Sequence, residues 1–194
     1  MSNYHLFWNG PYSQWYPHQK PGPVFGPSDI EYDGIVFNCA EQFMMFYKAI
    51  FFEDYDIANR ILKETHPGVQ KGLGRQVKNF SEEEWAKVAR EIVYKGSECK
   101  YTQNISLCKE LISTHPAILV EASPHDRVWG IGLGEDDPGA RDPSKWKGMN
   151  WLGVVLTNLR NNIMSGDSSD PDVDKVMRIM LSKKYKTIDF NKGT

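Results

Sequence analysis

The 194-residue sequence has few cysteines, no apolar run of membrane-spanning length and no large excess of charge of either sign. Its three cysteines, Cys39, Cys99 and Cys108, form no CxxC pair and lie in apolar stretches, which predicts buried thiols in a reducing compartment. The five histidines lack the spacing of metal ligands, so we expect no metal site, and no motif calls for another cofactor. The N-terminus carries no apolar signal segment and no run approaches membrane-spanning length, which predicts a cytoplasmic protein outside the membrane.

The balance of charge also restricts the partners of this protein. There are 23 basic and 25 acidic residues, which give a formal net charge of -2. Because an extended grip on nucleic acid needs an excess of positive charge, we expect no extended nucleic-acid-binding surface, although a local basic pocket fits this composition. With 40% hydrophobic residues and no internal repeat, the sequence predicts one globular domain with a sizeable core.

Residues 37–51 are almost wholly apolar and aromatic but carry two charges, Glu41 and Lys48. The stretch is too long for one strand, lacks Gly and Pro, and is apolar all round a helical wheel, which predicts a buried central helix. A spacing of seven places the two charges within about 20° of each other around this helix. Glu41 could simply be an acid that the helix dipole favours near the N-terminus, and Lys48 could extend its amine into water. Because buried charges are costly unless a cleft receives them, we favour a functional site.

The residues before this helix predict a small β element. Residues 5–17 place aromatic side chains between turn residues, which is typical of a strand and a loop laid over a core. Residues 18–29 are rich in Pro and Gly and predict a loop insertion. Residues 30–37 alternate on either side of Asp33 and Gly34, a strong signal for a β-hairpin.

Several amphipathic helices are predicted after the central helix. One covers 53–65 and is expected to stop at His66-Pro67-Gly68, a long one runs from the capping box at Ser81 to Cys99, and a short one covers 105–112. A closing helix begins at Trp151 with Asn150 as its N-cap. Residues 165–194 are predicted to form a peripheral C-terminal extension with a short amphipathic helix and a basic cluster.

Two further stretches of the sequence carry functional signals. Lys71-Gly72-Leu73-Gly74-Arg75 could bring backbone and Arg75 close to a phosphate, or could be a helix end capped by Gly. A buried strand at 117–122 leads into residues 123–134, which combine Asp126, Trp129 and repeated glycines. Asp126 could cap a turn and Trp129 could fill the core, but the alternate glycines indicate that the backbone turns or approaches something closely, so we favour a site.

Several motifs together resemble one family. They occur in the family's order, and the resemblance runs from about residue 7 to 164, so that 1–164 is the expected domain. Gln14 stands where the family usually has Asn, which retains an amide. The motifs are Glu41-Gln42, Lys48-Ala49, Gly74-Arg75, Trp85, the segment from Glu121 to Leu133, and Asn150-Trp151-Leu152-Gly153. The sequence thereby resembles the NADAR family of YbiA-like N-glycosidases.

The resemblance implies an enzyme that hydrolyses the bond between ribose C1 and an exocyclic amine. Family members are linked to removal of ADP-ribose from guanine bases in nucleotides or nucleic acid, in some cases beside a partner toxin that attaches it, and also to phosphoribosylamino-pyrimidine intermediates of riboflavin biosynthesis. It also implies a single mainly helical α+β domain, with helices around the buried central helix. A rival expectation is a non-catalytic module that binds ADP-ribose or a nucleotide, which would not need both Glu41 and Lys48.

Cleavage of this bond requires groups that the sequence can supply. The ribose gains oxocarbenium character, which a carboxylate stabilises, and the departing nitrogen needs a proton. Glu41 and Asp126 are the candidate carboxylates, while Lys48 could instead form a Schiff base with the ring-opened sugar. The sequence leaves both routes open. The expected substrate-binding residues are Ser13, Trp15, Arg75, Trp129, Gly130, Gly132 and Asn150.

Overall fold

The computed structural model describes residues 3–17, 29–167 and 170–184, which form mostly helices and two small sheets. The strands are β1 (Tyr4–Phe7), β2 (Ile30–Tyr32), β3 (Ile35–Phe37) and β4 (Ile118–Glu121). The helices are α1 (Ala40–Phe51), α2 (Tyr55–Lys63), α3 (Pro67–Gly74), α4 (Glu82–Ala86), α5 (Ala89–Thr102), α6 (Ile105–Ser113), α7 (Trp151–Ser165) and α8 (Pro171–Lys184). This confirms the predicted mainly helical α+β class. The insertion predicted at 18–29 lies, except for Asp29, outside the described residues.

Helix α1 lies at the centre of the fold. All of its residues from Ala40 to Ile50 are buried, because α2, α3, α5 and α8 pack around it. The predicted central helix is therefore confirmed, although Phe37 belongs to β3 and the helix begins three residues later. The side-chain oxygen of Gln42 accepts a hydrogen bond from the N–H of Asn38 at 2.7 Å, which fixes the entry of the chain into the helix.

The hairpin before α1 has the predicted form. Strands β2 and β3 are antiparallel, with Tyr32 opposite Ile35. The two turn residues, Asp33 and Gly34, both have positive φ angles, of 51° and 73°. A two-residue turn of this kind matches the twist of the adjoining strands, and Asp-Gly is a preferred sequence for it.

The second sheet, formed by β1 and β4, places two segments that line a cavity side by side at one edge of the sheet. Strand β4 forms where the sequence predicts a buried strand, and it pairs in parallel with β1, with Phe7 opposite Glu121. Because the carboxyl ends of parallel strands meet at one edge, the segments after Phe7 and after Glu121 start side by side. This pairing joins residues more than 100 positions apart and has no local sequence signal.

The helix predicted over 81–99 is instead two helices, α4 and α5. The hydroxyl of Ser81 accepts the N–H of Glu84 at 3.3 Å, so the predicted N-cap is present. Val88 has φ -130° and ψ -11°, which is outside helical geometry, and the hydrogen-bond ladder is interrupted there. No Gly or Pro marks the interruption in the sequence.

The predicted helix stop at 66–68 is also the start of a helix. Pro67 occupies the first turn of α3, where its missing N–H costs nothing, and the ring of His66 accepts the N–H of Gly68 at 3.1 Å. Lys71 therefore lies within a helix, and Arg75 lies at its C-cap. Gly74 is a contact with α1, since a Cβ built there would lie 2.1 Å from the sulfur of Met45.

The C-terminal extension was predicted to be peripheral, but helix α8, which belongs to it, is part of the core. It packs against α1 and α5. Lys184 at its end is buried and bonds the carboxylate of Asp33 in the hairpin turn, while Lys183 donates to the carbonyl of Phe51 at 2.8 Å. Its buried apolar residues are Val173, Val176, Met177 and Met180.

The predicted burial of the thiols is confirmed for Cys39 and Cys99, whereas Cys108 is half-buried. Burial raises the pKa of the Cys39 thiol to about 12. None of the helices in the described ranges is both long and apolar enough to cross a bilayer.

Candidate active site

A cavity of about 960 Å³ lies beside α1, between α3, α4, the N-terminal segment and the loop that follows β4. Its wall includes five of the six tryptophans: Trp8, Trp15, Trp85, Trp129 and Trp151. It brings together seven of the ten predicted site residues: Ser13, Trp15, Glu41, Lys48, Arg75, Asp126 and Trp129. The volume is at the upper end for small-molecule sites, so the cavity can hold a ligand of dinucleotide size.

Glu41 is a buried carboxylate in the wall of this cavity. Only 2% of the residue is exposed, and its Oε2 accepts the indole N–H of Trp15 at 3.2 Å. Its Oε1 is buried and has no hydrogen-bond partner among the residues that the structure describes. Burial raises the pKa of Glu41, while Lys71, the Trp15 indole and Arg75 act in the opposite direction. A buried carboxylate oxygen without a partner is uncommon in proteins, and this one belongs to a residue that lines the cavity.

Lys48 faces the same cavity two helical turns away, as the seven-residue spacing predicts. It is 9% exposed, and its Nζ lies 4.0 Å from the centroid of the Phe80 ring. Its pKa is lowered, because burial outweighs the opposing attraction of Glu41. Within the described part of the chain, no carboxylate forms an ion pair with Lys48. The amine is therefore partly desolvated, and none of the described residues neutralises it.

A basic pair on α3 forms another part of the wall. Lys71 and Arg75 are four residues apart and both line the cavity. Lys71 Nζ lies 6.0 Å from the centroid of the Trp15 ring. Arg75 was predicted to bind phosphate, whereas Lys71 was named in the same motif but not as a site residue. The position of Lys71 depends on the helix that begins at Pro67. Two adjacent cations can bind two neighbouring phosphates.

Asp126 fixes the loop after β4. Its Oδ1 accepts the backbone N–H groups of Val128 and Trp129 at 2.9 and 2.8 Å, so the turn-cap interpretation describes this oxygen. The residue also lines the cavity. Trp129 is half-buried and packs edge-on against Trp151, with ring centroids 5.6 Å apart. The turn thus holds one face of the aromatic wall in place.

The two loop glycines that were predicted to bind substrate, Gly130 and Gly132, pack closely against other parts of the protein. A Cβ at Gly130 would lie 2.9 Å from the carbonyl oxygen of Glu121. Gly132 has φ +68°, and a Cβ there would lie 3.0 Å from that of Lys147. Neither glycine lines the cavity. Both are required for the loop to fold back on β4.

Asn150 was also predicted to bind substrate, but its side chain is used within the protein. It is 2% exposed; its amide oxygen accepts the N–H of Glu121 at 2.9 Å and its amide N–H donates to Leu119 at 3.0 Å. It precedes α7 in the N-cap position, yet in a left-handed conformation and without a side-chain capping bond. Its role is to attach α7 to β4.

Ser13 and Trp15 form the cavity wall contributed by the N-terminal segment. The hydroxyl of Ser13 accepts the N–H of Trp15 at 3.1 Å, and the carbonyl of Gln14 accepts the N–H of Glu41 at 2.9 Å. Lys100 donates to the carbonyl of Ser13 at 2.9 Å from beneath. These bonds place the Trp15 indole on Glu41.

Glu121 lines the cavity but was not among the predicted site residues. It ends β4, and its Oε2 is buried without a partner in the described part of the protein. Burial and the nearby Asp126 raise the pKa of this carboxyl to about 8. An acid at the end of an otherwise apolar strand, directly before the Asp126 loop, was the available signal.

Comparisons with known proteins agree with this architecture. The chain matches the NADAR domain over residues 6–164. "N-glycosidase R617" of Acanthamoeba polyphaga mimivirus is 38% identical over 149 residues, which cover 77% of this chain and 85% of that protein. "Riboflavin biosynthesis protein PYRR, chloroplastic" of Arabidopsis thaliana is 34% identical over 119 residues, which cover 59% of this chain and 18% of that protein.

A solved structure shares the fold. The NMR structure of the Escherichia coli protein YbiA superposes with a TM-score of 0.64, covers 88% of this chain and 92% of that chain, and is 24% identical in sequence. Together with the domain match over most of the chain, these similarities establish that the protein belongs to the NADAR family.

Proposed function

We propose that this protein is an N-glycosidase that hydrolyses the bond between ribose C1 and an exocyclic amine, and that its substrate is an ADP-ribosylated guanine. The observation that carries the proposal is the Glu41 carboxylate, which is buried in the cavity wall with one oxygen unbonded by any described residue. A carboxylate held beside C1 stabilises the positive charge that develops on the ribose as the amine leaves.

The charges of the wall support a diphosphate ligand. Lys71 and Arg75 lie one helical turn apart on the side of α3 that lines the cavity. ADP-ribose carries two adjacent phosphates, which match two adjacent cations, whereas a phosphoribosylamino-pyrimidine carries one.

The aromatic wall and the cavity size support the same ligand. An ADP-ribosylated guanosine has two bases, and the five tryptophans offer faces on which both can stack. The cavity of about 960 Å³ is larger than a single ribosylamino-pyrimidine requires. An enzyme that transfers ADP-ribose to guanine would supply this substrate.

Lys48 admits two chemical routes. In one, its neutral amine attacks C1 of the ring-opened ribose and forms a Schiff base; in the other, its charge orients a hydroxyl or phosphate. The covalent route is favoured because burial lowers the pKa of the amine and no carboxylate in the described ranges pairs with it. Both routes use Glu41 in the same cavity.

The alternative substrate is a phosphoribosylamino-pyrimidine of riboflavin biosynthesis. Similarity to the PYRR protein favours it, although the matched segment covers 18% of that protein. A second alternative is a binding module without catalysis. It would leave the burial of both Glu41 and Lys48 in one cavity unexplained, because both charges are costly to bury.

One experiment separates these three functions. The purified protein is incubated in parallel with ADP-ribosylated guanosine and with a phosphoribosylamino-pyrimidine, and the products are measured by liquid chromatography and mass spectrometry. We expect release of ADP-ribose and guanosine from the first. Release from the pyrimidine compound alone would support the riboflavin branch, and binding of ADP-ribose without hydrolysis of either compound would support the binding module.

A further inference from the structure

Glu121 is a half-buried acid in the cavity wall, and the roles of Glu41 and Lys48 leave it without a task. Its backbone is fixed on both sides, since its N–H donates to Asn150 at 2.9 Å and its carbonyl accepts the N–H of Ile131 at 2.9 Å. Its side chain lines the cavity, and its Oε2 is buried with no partner among the described residues. A carboxyl group that a fixed backbone holds in the wall of a ligand cavity can exchange a proton with that ligand.

The groups facing Glu121 favour its protonated form. Burial has the largest effect, and Asp126 from the loop and Glu41 from α1 act in the same direction. Lys71 from α3 opposes them, and the resulting pKa of Glu121 is about 8. Two carboxylates and one cation around this partly buried acid leave it neutral near pH 7 and therefore able to donate a proton.

The other two carboxyl groups are less suited to this task. Oδ1 of Asp126 already accepts two backbone N–H groups, which makes this residue a positioning residue for Trp129. Burial raises the pKa of Glu41 as well, but the hydrogen bond from the Trp15 indole and the charges of Lys71 and Arg75 act in the opposite direction and favour its carboxylate form. The cavity thus contains one acid whose surroundings favour the neutral form and another whose polar neighbours favour the anion.

We propose that Glu121 is the proton donor to the leaving amine, an assignment that rests on the proposed N-glycosidase function. As the C1–N bond breaks, its electron pair goes to nitrogen, which takes the proton of the Glu121 carboxyl group. The ribose ring oxygen donates a lone pair to C1, and the Glu41 carboxylate stabilises the resulting cation. Water then adds to C1 and gives a proton to Glu121, which restores the acid. If Lys48 acts covalently, the departing nitrogen needs the same proton.

The test compares two leaving groups on the same ADP-ribose. ADP-ribosylated guanosine releases an amine that must be protonated, whereas the p-nitrophenyl glycoside of ADP-ribose releases a stable anion that needs no proton. We expect Glu121→Gln to lose about 10²–10⁴-fold in kcat on the first substrate and to remain close to wild type on the second. Glu41→Gln is expected to lose activity on both.

A pH profile gives a second measurement. The wild-type kcat on ADP-ribosylated guanosine should fall as pH rises through the pKa of Glu121, about 8, and this alkaline limb should be absent in Glu121→Gln. Glu121→Asp, which keeps an acid with a shorter reach, should retain the limb at a lower rate, so a folding defect of the Gln variant does not decide the outcome. Glu83→Gln, whose side chain is 84% exposed, is the matched control.

The outcomes distinguish this proposal from the proposed function. An active wild type, together with equal losses on both substrates or no loss in Glu121→Gln, would overturn the assignment of Glu121 alone. An alkaline limb that persists in Glu121→Gln would also overturn it. A wild type that cleaves neither substrate would overturn the N-glycosidase function, and the role of Glu121 would fall with it.

Discussion

Glu41 and Lys48 show how two charges can be retained on a helix whose other residues form the core. Each charge is costly to bury, and each is received by the same cavity. We expect Glu41→Gln to abolish turnover, with a loss of at least about 10²-fold in kcat, because the variant keeps the shape and loses the charge opposite the ribose. The measurement is release of ADP-ribose from ADP-ribosylated guanosine, with affinity for ADP-ribose determined by calorimetry.

The control for this change is Glu83→Gln, on the exposed side of α4. Affinity and melting temperature should be nearly unchanged in both variants, because the amide oxygen introduced by Glu41→Gln would still accept the Trp15 N–H. Hydrolysis at the wild-type rate by Glu41→Gln would exclude Glu41 from the reaction.

Lys48 distinguishes the two chemical routes. If the amine forms a Schiff base, borohydride added during turnover should reduce it to a stable ribosyl adduct visible by intact mass, and Lys48→Arg should be inactive although it retains the charge. Lys87→Arg, a change at an exposed lysine, should trap the same adduct as wild type. If no adduct forms and Lys48→Arg keeps part of its activity, the amine acts by orientation. Full activity in Lys48→Ala would exclude both routes.

At the residue scale, sequence reasoning succeeded where the signal was local. The spacing of Glu41 and Lys48 is a property of one helix, and it placed both on the same cavity. Lys71 and Glu121 were not selected as site residues, because their surroundings depend on contacts between distant segments. The three residues that do not reach the cavity, Gly130, Gly132 and Asn150, are constrained by backbone contacts that have the same sequence appearance as a ligand site.

Among the elements, β4 is joined to α7 by two side chains, Asn150 and Thr157, whose hydroxyl accepts the N–H of Leu119 at 3.0 Å. Asn150 bonds Leu119 and Glu121 and adopts φ 53°. We expect Asn150→Ala to lower the free energy of unfolding by about 1–3 kcal/mol, because it leaves buried backbone groups without partners. Asn79→Ala is the matched control, since Asn79 is exposed and has a similar φ of 56°, so the difference between the variants isolates the lost hydrogen bonds. Equal losses in urea unfolding would attribute the effect to backbone conformation.

The predicted elements were right wherever turn chemistry or an apolar run marked them. Asp33-Gly34 specified the hairpin, and the apolar run 117–122 specified β4. The break at Val88 was missed because it follows from packing and no helix-breaking residue accompanies it. Pro67 was interpreted as a stop although Pro is equally a first-turn residue, so the start of α3 was missed. The alternative prediction of a helix end at 71–75 agrees with the end of α3 at Gly74.

For the molecule as a whole, the partly buried Glu121 carboxyl should make the free energy of unfolding depend on pH. Its pKa rises from the ordinary value of 4.5 to about 8 in the folded state, so the folded protein binds a proton that the unfolded chain releases. Stability from this group is complete below about pH 4.5, declines as pH rises to about 8 and is level above it. The free energy of unfolding of Glu121→Gln minus that of wild type should therefore increase by about 1–4 kcal/mol as pH rises from about 4 to about 9.

This prediction is measured by urea unfolding of both proteins at each pH. Contributions of the other titrating groups cancel in the difference between variant and wild type when they are far from the cavity. A difference that stays constant across this pH range would show that Glu121 titrates normally in the folded protein.

The C-terminal helix shows what the sequence could not place at this scale. Its apolar spacing predicted a helix, but nothing in the spacing identified α1 and α5 as its partners. The contact between Lys184 and Asp33 joins positions 151 residues apart. Only the folded chain reveals that this tail covers the central helix.

The arrangement of tryptophans around the cavity has an optical consequence. Five of the six indoles in the protein lie in one wall, and the Trp15 N–H touches the Glu41 carboxylate. Intrinsic fluorescence should therefore change when ADP-ribose fills the cavity, without any attached dye. Trp129→Phe should reduce the amplitude of that change, whereas Trp146→Phe, whose indole bonds Ala140 away from the cavity, should leave it intact. In stopped-flow mixing, the protein would then report the arrival of its ligand and the departure of its products in real time.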